Sequence, residues 1–269
     1  MARIISLANQ KGGVGKTTTA VNLAAYLADN GKRVLLVDMD PQANATSSLG
    51  FDKRATESSI YDCLLNAEPL AQIVKLTNWV RLDLAPSSPV LAGAEAELVS
   101  APQREYRLRA ALAEPSERYD FVVIDCPPSL GFLTLNALTA AHAVLIPVQC
   151  EYLALEGLTQ LMATIQLVRQ SLHPGLQIEG VVMTMFDART ALSQQVADEV
   201  RKYFGNQVFK TMVPRSVRLS EAPSHGRPIH AYAPTTPGAQ AYRALAAEVV
   251  ARQKPSVNGT HATTAQEAA

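Results

Sequence analysis

The feature that most constrains this chain is the run Lys11-Gly12-Gly13-Val14-Gly15-Lys16-Thr17-Thr18. It lies between a short apolar segment, Ile4 to Ala8, and an amphipathic helical pattern, Thr17 to Asp29. Glycines at 12, 13 and 15 let backbone N–H groups turn inward as an anion-binding nest, and the helix that follows adds the positive end of its dipole. Lys16 would reach the β- and γ-phosphates of a nucleotide, and the Thr17 hydroxyl would ligate Mg2+. The standard spacing asks for glycine at position 10, where this chain has Gln10. The nest is built from the later glycines and survives that change. Lys11 is an additional feature: beside Lys16 it adds like-charge repulsion that a polyanion would relieve. A solvated surface lysine is the plainer alternative.

Two further segments bring carboxylates to strand ends. Val34 to Val37 leads into Asp38-Met39-Asp40-Pro41-Gln42, so two acids emerge at i and i+2 on one side of the chain. Asp38 would hold a magnesium shell through water, since that ion keeps several of its waters. Phe121-Val122-Val123-Ile124-Asp125 ends in a single acid, a second magnesium-side candidate, and Cys126-Pro127-Pro128-Ser129-Leu130-Gly131 follows. Two prolines and a glycine there fix a turn that could shift when a terminal phosphate leaves. A turn aspartate before proline and a buried capping aspartate are the ordinary readings of Asp40 and Asp125. Cys126 reads as a small buried residue, with no histidine nearby in sequence to activate it.

The apolar runs Ile4 to Ala8, Val34 to Val37, Phe121 to Ile124, Val144 to Val148 and Ile178 to Met183 are short, and several are rich in Val and Ile, as buried parallel strands are. A weaker strand, Leu82 to Ala85, ends in Pro86-Ser87-Ser88-Pro89, with helical stretches around Ala92 to Val99 and Arg104 to Leu112 after it. Helical patterns at Leu133 to Ala141, Leu155 to Ser171, Leu192 to Phe204 and Ala239 to Arg252 complete the alternation. The fold expected is α/β: one doubly wound, mainly parallel sheet with helices on both faces, and ligands at the carboxyl ends of its strands. With 269 residues, 48% of them hydrophobic, one large domain over 1–253 is favoured over two. Residues 254–269 are small and polar and are expected to be a disordered tail. Three cysteines, Cys63, Cys126 and Cys150, share no metal-type spacing, so a zinc site or disulfide framework is not favoured and a reduced cytosol fits. No leader sequence and no run of about 18 apolar residues is seen. The formal net charge is +0, so any binding to DNA must come from a local patch.

The run K-G-G-V-G-K-T-T resembles the ParA/MinD group of deviant Walker ATPases, over about residues 2 to 252. The resemblance implies ATP and Mg2+ as ligands. It implies that Lys11 crosses to a partner's nucleotide in an ATP-bound sandwich homodimer, and that Asp40 places the attacking water. It also implies that Met183-Thr184 and Pro214-Arg215 flank the adenine. Between Asp187 and Arg227, seven basic residues face four acids, a composition that a solvated charged face would also explain. Met185 to Arg189 and Val213 to Gly226 are similar to segments of the Soj-like, chromosome-partitioning ParA subgroup. There the residues matching Arg189 and Arg218 hold phosphates of double-stranded DNA without reading bases.

That subgroup implies a cytoplasmic, nucleoid-associated protein whose hydrolysis is stimulated by a ParB-type centromere-binding partner. A membrane-binding MinD-type tail would need an amphipathic helix with bulky apolar and basic faces, which Asn258 to Thr264 lacks, so no membrane partner is expected. An iron–sulfur carrier would need paired cluster-ligating cysteines. A metabolic enzyme of the dethiobiotin synthetase kind would normally lack Lys11. A phosphate loop starting on a strand at Arg3 leaves no room for a preceding DNA-reading domain, so specific operator binding is not expected.

Overall fold

The computed structural model of the chain describes residues 2–151 and 154–253; the expected tail, 254–269, lies outside them. Eight strands form one sheet: β1 (Arg3–Leu7), β2 (Val34–Asp38), β3 (Lys75–Leu76), β4 (Leu82–Ala85), β5 (Phe121–Asp125), β6 (Ala143–Gln149), β7 (Gln177–Phe186) and β8 (Val208–Pro214). Their order is β3-β4-β2-β5-β1-β6-β7-β8, and every neighbouring pair is parallel except β3 with β4. Successive residues of β2 feed opposite faces of the core: Leu35 and Val37 pack on one, Val34 and Leu36 on the other. Both faces are therefore apolar, which is why the parallel strands read as continuous hydrophobic runs.

One face is covered by α1 (Lys16–Asp29), the short α2 (Asn44–Ser48) and three C-terminal helices, α10 (Val217–Glu221), α11 (Ile229–Tyr232) and α12 (Pro237–Arg252). The other carries α3 (Ile60–Leu65), α4 (Leu70–Ile73), α5 (Ala94–Glu97), α6 (Arg107–Leu112), α7 (Phe132–Ala140), α8 (Ala154–Ser171) and α9 (Ala191–Phe204). The single-domain α/β expectation holds. The helix after the phosphate loop departs from its expected character. Thr19 to Ala28 are all buried, because α12 and α11 close over the side of α1 that faces away from the sheet. Thr19 Oγ1 meets Tyr242 Oη at 3.0 Å inside that contact, and the Asn22 side chain accepts from Ile229 N at 2.7 Å. Strands β3 and β8 and helices α2, α3, α4, α10 and α11 are additions to the sequence expectation.

The order of the strands positions the site. β1 lies between β5 and β6, so the crossover from β1 runs to one side of the sheet and that from β5 to the other. A crevice opens at such a switch point, outside the carboxyl ends of the strands. The loop from Ala8 to Gly15 emerges there.

Candidate nucleotide site

Loop geometry begins with φ. Gly13 at +76° and Gly15 at +86° occupy the left-handed region, which a side chain rarely adopts, and this curls the backbone ahead of α1. Asn9 braces the loop from below: its amide donates to Pro147 O at 2.7 Å and its side-chain oxygen accepts from Lys11 N at 3.0 Å. Thr184, at the end of β7, donates to Val14 O at 2.8 Å. Gly12 faces open space, with nothing within 4 Å of where a Cβ would stand.

Lys16 is 6% exposed, and its ammonium donates to the Lys11 carbonyl at 3.1 Å. Burial lowers its pKa, while Asp125 in the first place and then Cys126 and Asp40 raise it. The Lys11 ammonium points elsewhere, 3.8 Å from a Glu151 carboxylate oxygen that belongs to the same chain. Glu151 also accepts from Arg215 at 3.3 Å. The anticipated repulsion between the two lysines is thus met by separate local partners. Thr17 and Thr18 follow on the first turn of α1, and both are partly buried.

Across the crevice, β2 and β5 end side by side with Asp38 and Asp125 in register, each wholly buried. Asp38 is well supplied with donors: Thr46 N at 2.8 Å, Thr46 Oγ1 at 2.7 Å and Asp40 N at 3.1 Å. Burial still raises its carboxyl to about 6, against the lowering effect of those bonds. Asp125 has no hydrogen-bond partner at ordinary geometry on either oxygen. Burial, and then repulsion from Asp38, holds its carboxyl well above the usual range, only partly offset by the Thr17 hydroxyl and by Lys16. Two buried acids, one of them unpartnered, beside a lysine and a threonine hydroxyl suit a divalent cation that keeps its waters and shares them with phosphate oxygens. Among the described residues no three His, Cys, Asp or Glu side chains gather into a metal-binding group. Asp40 lies close enough for its charge to act on Lys16, Asp38 and Asp125; it is 7% exposed and caps the turn by accepting from Gln42 N at 2.9 Å.

The remaining expected residues fall along the same rim. The Met183 side chain is core, 0% exposed, so its neighbour Thr184 is what reaches the loop. Pro214 ends β8 opposite Phe186, and Arg215 N donates to Phe186 O at 3.2 Å. Arg189 and Arg218 follow the carboxyl ends of β7 and β8, neighbours in the sheet. Each is tied to a local acid: Arg189 to Asp187 at 2.7 Å, with its side chain 88% exposed, and Arg218 to Glu221 at 2.8 Å. The guanidinium beside Asp187 holds that carboxyl down to about 2. Sequence reasoning missed Asn9, Thr46, Ser87, Glu151 and the part played by Thr184. A small polar residue just after a strand was the only available signal.

A doubly wound parallel sheet with a Gly-rich loop cradling the N-terminus of its first helix, and acids at the ends of β5 and β2, the two strands to one side of β1, defines a P-loop NTPase. A family profile described as an AAA domain matches residues 2–178. Among curated proteins, the sporulation initiation inhibitor protein Soj of Bacillus subtilis is 57% identical over 93% of this chain and 99% of its own. The chromosome-partitioning ATPase Soj of Thermus thermophilus is 56% identical over 93% and 96%. Among solved structures, the cobyrinic acid a,c-diamide synthase of Mycobacterium smegmatis with bound ADP and magnesium is 41% identical, with a TM-score of 0.81 over 92% of this chain and 93% of that one. A plasmid partition protein of Borrelia burgdorferi bound to AMPPNP is 26% identical, with a TM-score of 0.79 over 93% and 99%. This chain belongs to the ParA/MinD family of P-loop ATPases, in its Soj-like group.

Proposed function

We propose that the protein is a Mg2+-dependent ATPase that partitions chromosomal or plasmid DNA. The observation that carries this reading is the pair of buried carboxylates, Asp38 and Asp125, one without a partner, facing Lys16 and Thr17 across a switch-point crevice. Names borne by relatives, chromosome-partitioning ATPase and chromosome partitioning protein, give that chemistry its setting.

In this reading the backbone of Gly12 to Thr18 cradles the phosphates, and Lys16 leaves the Lys11 carbonyl for the β- and γ-phosphates. Thr17, Asp38 and Asp125 are the residues that would hold Mg2+, which would supply charge neutralisation for the phosphoryl oxygens. Asp40 swings out of its turn to orient the attacking water. Proline and arginine at 214 and 215 flank the adenine, with backbone groups of Met183 and Thr184 opposite. Lys11 exchanges Glu151 for the nucleotide of a second protomer, and the resulting homodimer presents Arg189 and Arg218 twice to duplex DNA. Joining two weak sites raises avidity by roughly 10²–10⁴, so assembly alone can switch DNA binding. Hydrolysis, stimulated by a ParB-type partner, returns the protein to monomers; the nucleoid surface in the cytoplasm is where this cycle runs. The ATPase domain in this reading spans residues 1–253.

The likeness to a named amide synthase favours a second reading, nucleotide-driven activation of an organic acid. Glutamine-fed amidation needs a nucleophilic thiolate. Here Cys63, Cys126 and Cys150 are all buried, with burial pushing Cys63 up to about 12, Cys150 up to about 11 and Cys126 higher. That supports the partitioning reading instead.

Sedimentation with ATP, ADP or no nucleotide, with and without random duplex DNA, tests the proposal. Wild type should dimerise and bind DNA only with ATP, and should turn over ATP without any organic co-substrate. Asp40→Ala should remain dimeric on DNA. Gly12→Val, harmless within one protomer, should bind ATP yet stay monomeric. Wild-type behaviour of both variants, or full DNA affinity in Arg189→Glu, would sink the mechanism.

A further inference from the structure

The segment after β4, Pro86-Ser87-Ser88-Pro89 and the helical turns that follow it, has no part in the phosphate chemistry above. It is nevertheless tied to both loops that carry that chemistry. At its start, Ser87 Oγ donates to the Asp40 carbonyl at 2.7 Å. Ser87 N donates at 3.0 Å to Thr46 Oγ1, the hydroxyl that holds Asp38. Pro86 O accepts from Ile60 N, and Ser88 Oγ meets Ser59 Oγ at 3.2 Å, so the start is fixed to α3. Leu91, Ala94 and Leu98, all 0% exposed, root its middle in the core.

At its far end, Glu95 on α5 reaches the first turn of α7. Its carboxylate accepts from Phe132 N at 2.8 Å and Leu133 N at 3.3 Å, donors that no helical carbonyl can satisfy. Gly131, which precedes them, has φ −80° and ψ −165°, extended backbone open to any residue. A Cβ there would stand 2.6 Å from Glu95 Oε2 and 2.7 Å from Glu95 Cδ. A side chain at 131 would displace this carboxylate from the helix N-terminus, whereas the turn that the sequence suggested does not itself need glycine. The loop so pinned, Cys126 to Gly131, starts at Asp125.

We propose that residues 86–97 are a brace that sets the distance between the Asp40 loop and the Cys126–Gly131 loop. Ser87 and Glu95 are its two anchors and act as positioning residues for γ-phosphate hydrolysis; this rests on the hydrolysis reading above. Neither residue touches the nucleotide. Each acts through the loop it holds, so it bears on the rate of the chemical step rather than on ATP binding.

The test compares Glu95→Ala, Gly131→Ala, their double variant and Ser87→Ala in the full-length protein. Glu95→Ala and Gly131→Ala should each lower kcat about ten- to a hundredfold, the size of effect that a small misplacement has. KM for ATP should stay within about threefold. The double variant should be no slower than either single, since both remove one contact. Wild-type kcat in Glu95→Ala, or losses that multiply in the double variant, would overturn the proposal. Glu95→Gln, which keeps an accepting oxygen, should recover part of kcat; no recovery at an unchanged Tm would also count against it.

Amide hydrogen exchange without nucleotide gives a readout free of activity. Exchange over 126–135 should rise in Glu95→Ala and Gly131→Ala, and in Ser87→Ala it should rise over both 40–46 and 126–135. Unchanged exchange over 126–135 in Ser87→Ala refutes the brace. A wild type that turns over no ATP while these exchange effects appear would refute the hydrolysis reading and support the brace.

Discussion

Asp125 shows how much chemistry one side chain can hold in reserve. Its carboxyl is buried, has the Thr17 hydroxyl beside it but no hydrogen bond at ordinary geometry, and titrates well above an ordinary aspartate. An acid whose folded pKa is raised binds its proton more tightly in the fold than in the unfolded chain. Its contribution to stability is therefore fully favourable below the unfolded value of about 3.8 and is lost as pH rises through the folded value. Asp125→Asn removes that loss, so at pH 7.5 the nucleotide-free variant should have a higher Tm than wild type. The gain in Tm should vanish near pH 4, and Mg2+-dependent ATP turnover should fall to background; a lower Tm at pH 7.5 would contradict the unpartnered geometry. Asp125, Asp38 and Lys16 were legible in the sequence because each ends a strand or opens a helix, where local pattern fixes position. Thr46, Ser87 and Glu95 were not. Their partners lie 8, 47 and 37 residues away in the chain, so only the folded arrangement joins them.

Among the elements, α1 carries the phosphate loop and α12 holds it in place. The Thr19–Tyr242 hydroxyl pair is buried at that contact, 0% and 1% exposed. Tyr242→Phe leaves the Thr19 hydroxyl without its partner, a loss of about 1–3 kcal/mol, while replacing both partners with apolar groups should cost less. Thermal unfolding should show Tm lower by roughly 3–8 °C in Tyr242→Phe, and partly restored in Thr19→Val/Tyr242→Phe. An equal or lower Tm in the double variant would argue against the pair. The parallel strands β1, β2, β5, β6 and β7 were readable because both of their faces are buried. β8 was not: its residues run from buried to exposed and back, with Lys210 in the middle and Pro214 at its end, as befits a strand at the sheet's rim. Helices of four to six residues, such as α2 and α4, are set by the walls around them rather than by their own periodicity.

For the whole molecule, a formal net charge of +0 means that no general field draws it to polyanions. In the partitioning reading proposed above, attraction comes from the rim beyond β7 and β8, where Arg189 and Arg218 already face their own acids. With two such arginines per protomer, an ATP-built dimer should neutralise about four phosphates, giving a slope of log affinity against log salt near −3.6. Arg218→Ala should flatten that slope by about 1.8 units, and a slope near zero in wild type would exclude phosphate contacts as the basis of binding. The sequence conveyed the sheet, its handed alternation and the side on which ligands sit. It conveyed nothing of the local acids that neutralise the rim, since Glu221 and Asp187 read equally well as solvated charges.

The bond from Lys16 to the Lys11 carbonyl carries one more consequence. The loop meets its ligand already satisfied from within, so binding is an exchange in which an internal acceptor must be displaced. An orthophosphate or sulfate ion, touching only part of the nest, should recover less in that exchange. A chain of three phosphates spans the nest and the lysine together. Reach along the loop should therefore separate a nucleotide from small anions: sulfate is expected to compete with ATP only weakly in a binding titration.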